Sequence, residues 1–225
     1  MITANVIHRV FQILAGEEIG TCFTIDHDNR QYIVTAKHVL KSWDGNSKIQ
    51  LYYSEKWHSI DVSVIGMSNP ADIAVLSTSF QLSPTFSMPA TSKDLCYGQD
   101  VFFLGFPYGF SGDVGSLNRG FPMPLVKKVI VSCFHKKNDA EVFLLDGHNN
   151  PGFSGGPVIF KPTNSPEFRV AAVISGYRYI NHPIQAGGND TPLTYQYNTG
   201  IIVSYSIGEA TRLIEQNPIG LSLAV

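Results

Sequence analysis

Charged side chains are scarce in this sequence, and neither sign dominates. Lys, Arg, Asp and Glu make up 15% of the 225 residues, and the formal net charge at pH 7 is −2. A chain without a basic excess lacks the electrostatic field that draws proteins to nucleic acid or to anionic membranes. We therefore expect no nucleic-acid partner and no membrane partner.

Cysteine is scarce as well. The sequence has three cysteines, Cys22, Cys96 and Cys133. An odd number at wide spacings does not make a disulfide framework, and no CxxC pair or Cys/His cluster has the spacing of a zinc site. We expect no metal and no cofactor, and we predict that each cysteine is a small, buried, apolar residue without a redox role.

Long apolar runs are missing too. No run approaches the roughly 18 residues of a membrane-spanning helix. Residues 1–20 lack the basic head, apolar stretch and cleavage site of a secretory signal peptide. Together with the unpaired cysteines, these absences lead us to expect a cytoplasmic protein.

Short strand-like runs separated by turn residues fill most of the chain. The sequence contains 20 glycines and 13 prolines, and 12% of its residues are aromatic. Runs of six to eleven residues, several of them alternating apolar with polar, predict about six strands before residue 80 and about six after residue 98. The predicted strands are 6–14, 20–26, 30–40, 49–54, 57–66 and 71–78, followed by 99–107, 126–135, 141–147, 155–160, 169–177 and 199–206.

The segments between these runs complete the prediction. Residues 81–95 have no periodicity and indicate a linker, whereas 108–124 and 178–198 are rich in Gly, Pro and Asn and predict long loops. Helical periodicity appears in 206–217, where Ala210, Leu213 and Ile214 share one face.

This pattern predicts an all-β fold of two packed six-stranded antiparallel β-barrels with a C-terminal helix, because barrels remove the exposed edges of so many strands. The predicted units are a first barrel, a linker, a second barrel and the helix, spanning 1–85, 86–97, 98–205 and 206–217. A cleft between two barrels is a natural place for a functional site.

The segment "PGFSGGPV" surrounds Ser154 with glycines. Gly152 allows backbone angles that turn the N–H groups of Gly152 and Ser154 toward one anionic oxygen, and Gly155 and Gly156 allow close backbone approach. Taken alone, the segment is as typical of a glycine-rich turn with a surface serine as of a nucleophile loop.

Two further residues complete a catalytic set. His38 follows the apolar strand "YIVTA", and Asp72 precedes the apolar strand "IAVL". Each residue alone is ordinary, since histidines at strand ends and aspartates at turns are common. The order His38, Asp72, Ser154 is nevertheless the chain order of one type of serine, histidine and aspartate triad.

At this point the sequence resembles the trypsin-like, chymotrypsin-fold serine proteases. "TAKHV", "ADIAVL" and "PGFSGGPV" are similar to the histidine, aspartate and serine segments of that family, and "LGFPYG" is similar to its compact bacterial, HtrA-like branch. The resemblance implies a serine endopeptidase acting on protein or peptide substrates, with His38, Asp72 and Ser154 as catalytic residues. It also implies an oxyanion hole made by the N–H groups of Gly152 and Ser154. A peptide-binding protein without activity, or an esterase with the same triad, are the alternatives.

Phe153 departs from the pattern of relatives made as zymogens, which carry at that position an aspartate that pairs with a newly cut N-terminus. We therefore predict that no N-terminal cleavage activates this chain. The resemblance also implies that the oxyanion loop can rest in an inactive form, with 108–124 responding to a regulatory partner chain.

The resemblance further implies where the specificity pocket lies. Its predicted residues are His148, Ser175, Gly176, Tyr177 and Gly200. His148 either receives an acidic substrate side chain or points to solvent or the backbone. Tyr177 narrows the pocket in favour of small side chains, and a preference for Arg or Lys is not expected.

Overall fold

The structure, a computed structural model, describes residues 1–46, 48–115, 118 and 120–223, most of which lie in two antiparallel sheets. The first sheet contains β1 Val10–Ala15, β2 Glu18–His27, β3 Arg30–Thr35, β4 Ile49–Tyr53, β5 Lys56–Ile60, β6 Ser63–Met67, β7 Ala74–Ser77 and β14 Leu221–Ser222. The second contains β8 Asp100–Gly105, β9 Leu125–Lys137, β10 Ala140–Asp146, β11 Pro157–Phe160, β12 Arg169–Ala186 and β13 Asn189–Ser206. The helices are α1 Ala4–Ile7 and α2 Gly208–Gln216, with 3₁₀ turns at Lys37–Leu40 and Pro107–Gly109.

The two sheets close to different extents. The second is a closed six-stranded barrel in the order β10-β13-β12-β11-β8-β9, as predicted. The first is a curved half-barrel in the order β5-β4-β1-β2-β3-β7-β6, with β14 added beside β3. It has one strand more along this path than predicted, because the run 57–66 divides at Asp61 and Val62 into β5 and β6, which form its two edges.

Apolar side chains form three buried clusters. One fills the first sheet and another fills the second, while the third joins residues of both sheets to helix α2. Successive side chains of strand β3 point to opposite faces of the sheet and so enter two different clusters. Ile33 lies in the cluster of the first sheet, and Val34 lies in the joint cluster. Apolar packing in the joint cluster therefore joins the two sheets and defines the junction between them.

The predicted C-terminal helix is present and shorter than expected. It begins at Gly208 rather than at residue 206, and the hydroxyl of Ser206 accepts the N–H of Gly208 at 3.3 Å. Ala210, Leu213 and Ile214 are buried, as their spacing predicts. No described helix is both long and apolar enough to span a membrane.

The segment 178–198 is not the loop that its Gly, Pro and Asn content predicted. Strands β12 and β13 continue through it as one antiparallel hairpin that turns at Gly187 and Gly188, both with positive φ. A Gly-Gly turn between alternating runs is a hairpin signal, which the Pro and Asn residues of the segment obscured. The other predicted loop, 108–124, contains an isolated bridge from Gly112 to Met123, and its residues 116, 117 and 119 lie outside the described part of the chain.

The three cysteines are unpaired, and only one behaves as predicted. Cys22 is buried in the core of the first sheet, and burial raises the pKa of its thiol. Cys96 is exposed and Cys133 is half-buried, so the prediction of burial is wrong for both. Cys96 lies in a surface turn before β8. The backbone N–H of Gln99 donates to the carbonyl oxygen of Cys96 and closes this turn.

Candidate active site

Two neighbouring strands of the first sheet bring His38 and Asp72 together. His38 lies in the 3₁₀ turn directly after β3, and Asp72 lies just before β7, which pairs with β3 through Thr35 and Ala74. The Nδ1 atom of His38 is 2.6 Å from Oδ2 of Asp72, and the backbone N–H of His38 donates to Oδ1 at 2.9 Å. The carboxylate therefore holds both the ring and the backbone of the histidine.

Ser175 connects this pair to the second sheet. Its hydroxyl donates to Oδ2 of Asp72 at 2.6 Å, and its carbonyl oxygen accepts the hydroxyl of Ser154 at 3.2 Å. The sequence predicted Ser175 only as a wall of the pocket, because nothing local in "VISGY" reveals a contact with a residue about a hundred positions earlier. Within the described residues, the hydroxyl of Ser154 makes this bond and none to His38.

The electrostatics of the pair are set by these hydrogen bonds. The bond to Asp72 raises the pKa of His38 against the opposing effect of burial, and the charges of Asp72 and Glu18 raise it further. Burial by itself would raise the pKa of Asp72, yet the hydrogen bonds from His38 and Ser175 lower it overall. The side chain of His38 is 45% exposed and that of Asp72 is 19% exposed, so the imidazole is open to a ligand and the carboxylate is shielded.

The glycines around Ser154 are required by space as well as by backbone angle. Gly152 and Gly155 have φ of +102° and +84°. A Cβ on Gly152 would lie 2.4 Å from the carbonyl oxygen of Phe106, and one on Gly155 would lie 2.0 Å from that of Thr21. The loop therefore fits against both sheets because these positions carry no side chain.

Thr21 holds the loop from the side of the first sheet, and sequence analysis did not single it out. Its hydroxyl donates to the carbonyl oxygen of Gly152 at 2.7 Å and accepts the N–H of Phe106 at 3.2 Å. Its own N–H donates to the carbonyl oxygen of Ser154 at 2.8 Å. The available signal was weak, because Thr21 is one of two buried hydroxyl residues in β2, the other being Thr24.

Two backbone donors of the loop are left without intramolecular partners in the described part of the chain. The N–H groups of Gly152 and Ser154 make no hydrogen bond there, whereas Phe153 donates to the carbonyl of Asn150 at 3.3 Å and Gly155 to that of Ile174 at 2.7 Å. Backbone donors beside a nucleophile are the groups that stabilise an oxyanion. These are the two groups that the sequence predicted for that task.

Phe153 points away from the site into the second sheet. Its side chain is fully buried, and its ring lies 4.7 Å from that of Phe103 in an edge-to-face arrangement. The ammonium of Lys127 lies 5.5 Å from the same ring. The residue before Ser154 is therefore part of the barrel core.

The predicted pocket residues lie on three segments of the second sheet. Ser175, Gly176 and Tyr177 are on β12, Gly200 is opposite on β13 with its carbonyl oxygen accepting the N–H of Gly147 at 2.9 Å, and His148 follows directly after Gly147.

Around His148, the structure adds a cation that the sequence did not suggest. The side chain of His148 is exposed, and its carbonyl oxygen accepts Nζ of Lys127 at 2.5 Å. Lys127 also donates to Oδ1 of Asn150 at 2.7 Å, and burial lowers its pKa. Among the described residues, no cluster of three His, Cys, Asp or Glu side chains is placed to hold a metal ion.

Comparison with known proteins identifies the family of the chain. Residues 20–164 match the family described as the trypsin-like peptidase domain. "Protease Do-like 1, chloroplastic" of Arabidopsis thaliana is 30% identical over 133 residues, covering 59% of this chain and 28% of that protein. "Serine protease Do-like HtrB" of Bacillus subtilis is 31% identical over 144 residues, covering 62% of this chain and 29% of that protein. The chain thus spans less than a third of the length of these curated relatives.

Solved structures confirm the fold. The inactive form of Rv3671c from M. tuberculosis H37Rv is similar with a TM-score of 0.60 at 18% identity, covering 96% of this chain and 89% of that one. The likeness extends over both sheets and confirms the chymotrypsin-like architecture. Since the family match covers more than half of the sequence, this chain belongs to the trypsin-like peptidase family.

Proposed function

We propose that this chain is a serine endopeptidase domain that cleaves peptide bonds through an acyl-enzyme. The observation that carries the proposal is the chain of hydrogen bonds from His38 through Asp72 and Ser175 to Ser154 across the junction of the two sheets. The unpaired N–H groups of Gly152 and Ser154 and the named serine proteases among the relatives support it.

In the proposed mechanism, Ser154 attacks the carbonyl carbon of the scissile bond while His38 accepts its proton. The backbone N–H groups of Gly152 and Ser154 stabilise the oxyanion, and Asp72 orients His38 and stabilises its imidazolium. His38 then protonates the leaving amine. Water next attacks the acyl carbonyl carbon while His38 accepts its proton, and His38 returns that proton to the oxygen of Ser154 as the bond to the acyl group breaks. A rotation of the Ser154 hydroxyl from the carbonyl of Ser175 toward His38 precedes attack, since such bonds often tighten only when substrate is bound.

The proposed activity is tested with a fluorophosphonate probe, which reacts with activated serines. We expect labelling of the wild-type chain, loss of labelling in Ser154→Ala and His38→Ala, and full labelling in Ser79→Ala, a control at an exposed serine away from the site. All variants should retain the wild-type circular dichroism spectrum. Labelling that survives Ser154→Ala in the folded protein would contradict the proposal.

A peptide library with mapping of the cut sites separates the remaining possibilities. Cleavage of internal peptide bonds supports an endopeptidase, whereas probe labelling with turnover of esters alone indicates an esterase. Binding of peptides without labelling or turnover indicates a peptide-binding protein.

The buried position of Phe153 supports the prediction that no N-terminal ion pair activates the chain, because a core phenylalanine offers no charge for one. The ammonium of Lys127 below the carbonyl of His148 disfavours a basic side chain before the scissile bond. An acidic or small substrate side chain directly before the scissile bond stays a prediction. A regulatory partner chain and a cytoplasmic location also stay predictions.

A further inference from the structure

Lys127 is a cation on the inner face of the second barrel. The next two residues on the same face of β9, Val129 and Val131, are buried in the cluster that fills the second sheet. The neighbouring Lys128 lies on the outer face, where it pairs with Asp100 at 2.7 Å and its side chain is 58% exposed. The two adjacent lysines therefore have opposite environments, and the inward one is unusual for a charged side chain.

The ammonium of Lys127 has no carboxylate partner in the described part of the chain. The ion pairs found there all involve other cations. Burial lowers the pKa of Lys127, and no negative charge opposes this effect. A half-buried cation without a counter-ion loses hydration, so its cost must be offset by other groups that accept its hydrogen bonds.

The groups that contact Lys127 belong to one short segment. Its Nζ donates to the carbonyl oxygen of His148 at 2.5 Å and to Oδ1 of Asn150 at 2.7 Å. The same ammonium lies 5.5 Å from the centre of the Phe153 ring, within the range of a cation–π interaction. We call residues 148–153 the oxyanion segment. Lys127 therefore contacts this segment near its beginning, in its middle and at its end.

The N–H of Gly152 lies between the second and third of these contacts. It belongs to the peptide unit after the preceding proline, and rotation of that unit would turn the N–H away from an oxyanion. The carbonyl of this unit accepts the N–H of Tyr108 at 2.9 Å, and the N–H of Phe153 donates to the carbonyl of Asn150 at 3.3 Å. Because a glycine leaves the backbone free to rotate, contacts on both sides of it are needed to hold this shape.

We propose that Lys127 is a positioning residue for the oxyanion hole. Its ammonium holds the oxyanion segment at three points, so that the N–H groups of Gly152 and Ser154 stay directed at one oxygen. Lys127 acts through the segment, since its hydrogen bonds reach the backbone of His148 and the side chain of Asn150 rather than the reacting groups. This inference rests on the proposed endopeptidase function and names a residue on which its rate depends.

The rate of labelling by the fluorophosphonate probe tests the inference, because the phosphonyl oxygen must enter the oxyanion hole. Lys127→Met keeps most of the length of the side chain and removes the ammonium. We expect the second-order rate constant of labelling to fall about 10²-fold, since displacement of an oxyanion donor costs that much. Lys128→Met on the outer face is the matched control and should be labelled at the wild-type rate.

Urea denaturation separates positioning from general stability. An apolar side chain in place of a cation without a counter-ion removes a desolvation cost, so the urea midpoint of Lys127→Met should equal or exceed that of the wild type. Slow labelling together with a lower midpoint would indicate a merely structural role and would overturn the inference.

Chemical restoration of the ammonium tests the charge itself. In a Cys96→Ser, Cys133→Ser background, Lys127→Cys supplies a thiol for alkylation by 2-bromoethylamine, whereas Cys22 is buried. The product is a thioether that ends in an ammonium at the length of lysine. We expect it to regain most of the labelling rate of the same background with Lys127 in place. Labelling that stays slow after complete alkylation would overturn the inference.

The outcomes keep this inference apart from the proposed function. Labelling of Lys127→Met at the wild-type rate overturns the inference and leaves the endopeptidase proposal standing. If the wild-type chain is not labelled, the proposed function fails and hydrogen exchange measured by NMR decides the inference. The amides of Tyr108 and Phe153, whose acceptors lie in the oxyanion segment, should exchange about tenfold faster in Lys127→Met than in Lys128→Met. Equal exchange in the two variants overturns the inference.

Discussion

Asp72 is the residue on which the candidate site converges. Its carboxylate accepts hydrogen bonds from the ring and the backbone of His38 and from the hydroxyl of Ser175. Three donors from two sheets lower the pKa of a half-buried carboxyl that burial alone would raise. The charge of Asp72 is therefore maintained where it can orient His38 and stabilise its protonated form.

The pH dependence of activity follows from this arrangement. His38 accepts a proton only when it is neutral, and its pKa is raised above 6.5, so kcat/KM should increase with pH through an apparent pKa above 6.5. Asp72→Asn removes the main cause of the raised His38 pKa, so that pKa should decrease. The same substitution should lower kcat on the order of 10⁴-fold, as in a related serine protease. The pH profile of the wild type and NMR titration of His38 in both proteins measure these effects. A His38 pKa that is the same in both would contradict the assignment.

At the scale of elements, the loop around Ser154 depends on the strands that surround it. Thr21 on β2 bonds to Gly152 and Ser154, and the turn after β8 bonds to the loop through Tyr108 and Pro151. The loop is thus shaped by a strand of each sheet rather than by its own sequence alone.

Gly155→Ala tests how closely this packing sets the site. The new Cβ would lie 2.0 Å from the carbonyl oxygen of Thr21 at a φ of +84°, so the loop must shift. A displacement of about 1 Å can cost on the order of 10²-fold in rate, and we expect at least that loss in kcat/KM. Gly45→Ala is the matched control, because its φ is +81° and nothing lies within 4 Å of the new Cβ. Equal activity losses in the two variants would contradict the role given to close packing at Gly155.

The hairpin of β12 and β13 extends beyond the closed barrel, and its outer half pairs only with itself in the described structure. Large apolar side chains on it, Ile180 and Leu193 among them, are exposed. Free edges and exposed apolar surface favour aggregation, so this element is costly for an isolated chain.

At the scale of the whole molecule, Arg9 ties the segment after β7 to the first sheet. Its guanidinium is buried and lies 2.6 Å from Asp26, and it donates to the carbonyl oxygens of Pro84 at 2.9 Å and Phe86 at 2.7 Å. These contacts direct the chain from the first sheet toward the second.

Arg9→Met should therefore lower the free energy of unfolding by about 3 kcal/mol, because it leaves Asp26 and two carbonyl groups without their buried partner. Lys128→Met removes an ion pair with Asp100 in which both side chains are more than half exposed, and it should cost less than about 1 kcal/mol. Urea denaturation of both variants measures the difference. Similar midpoints for the two would contradict the role given to Arg9.

The sequence by itself determined most of the strands, the all-β class, the family and the three segments that carry His38, Asp72 and Ser154. These features are local, since alternation, turn glycines and short motifs are written in neighbouring residues. Even the glycines around Ser154 were predicted with their physical reason, and the structure confirms the close approach at Gly155 and Gly156.

Only the tertiary structure decided how distant segments meet. No local pattern encodes the contacts between separate segments of the chain. These contacts are the hydrogen bonds from Ser175 to Asp72, from Thr21 to Gly152 and from Lys127 to His148. The same holds for the open edges of the first sheet and for the hairpin that replaces the predicted loop 178–198. Strand pairing depends on partners elsewhere in the chain, so it is settled when the sheets assemble and not by the residues of one strand.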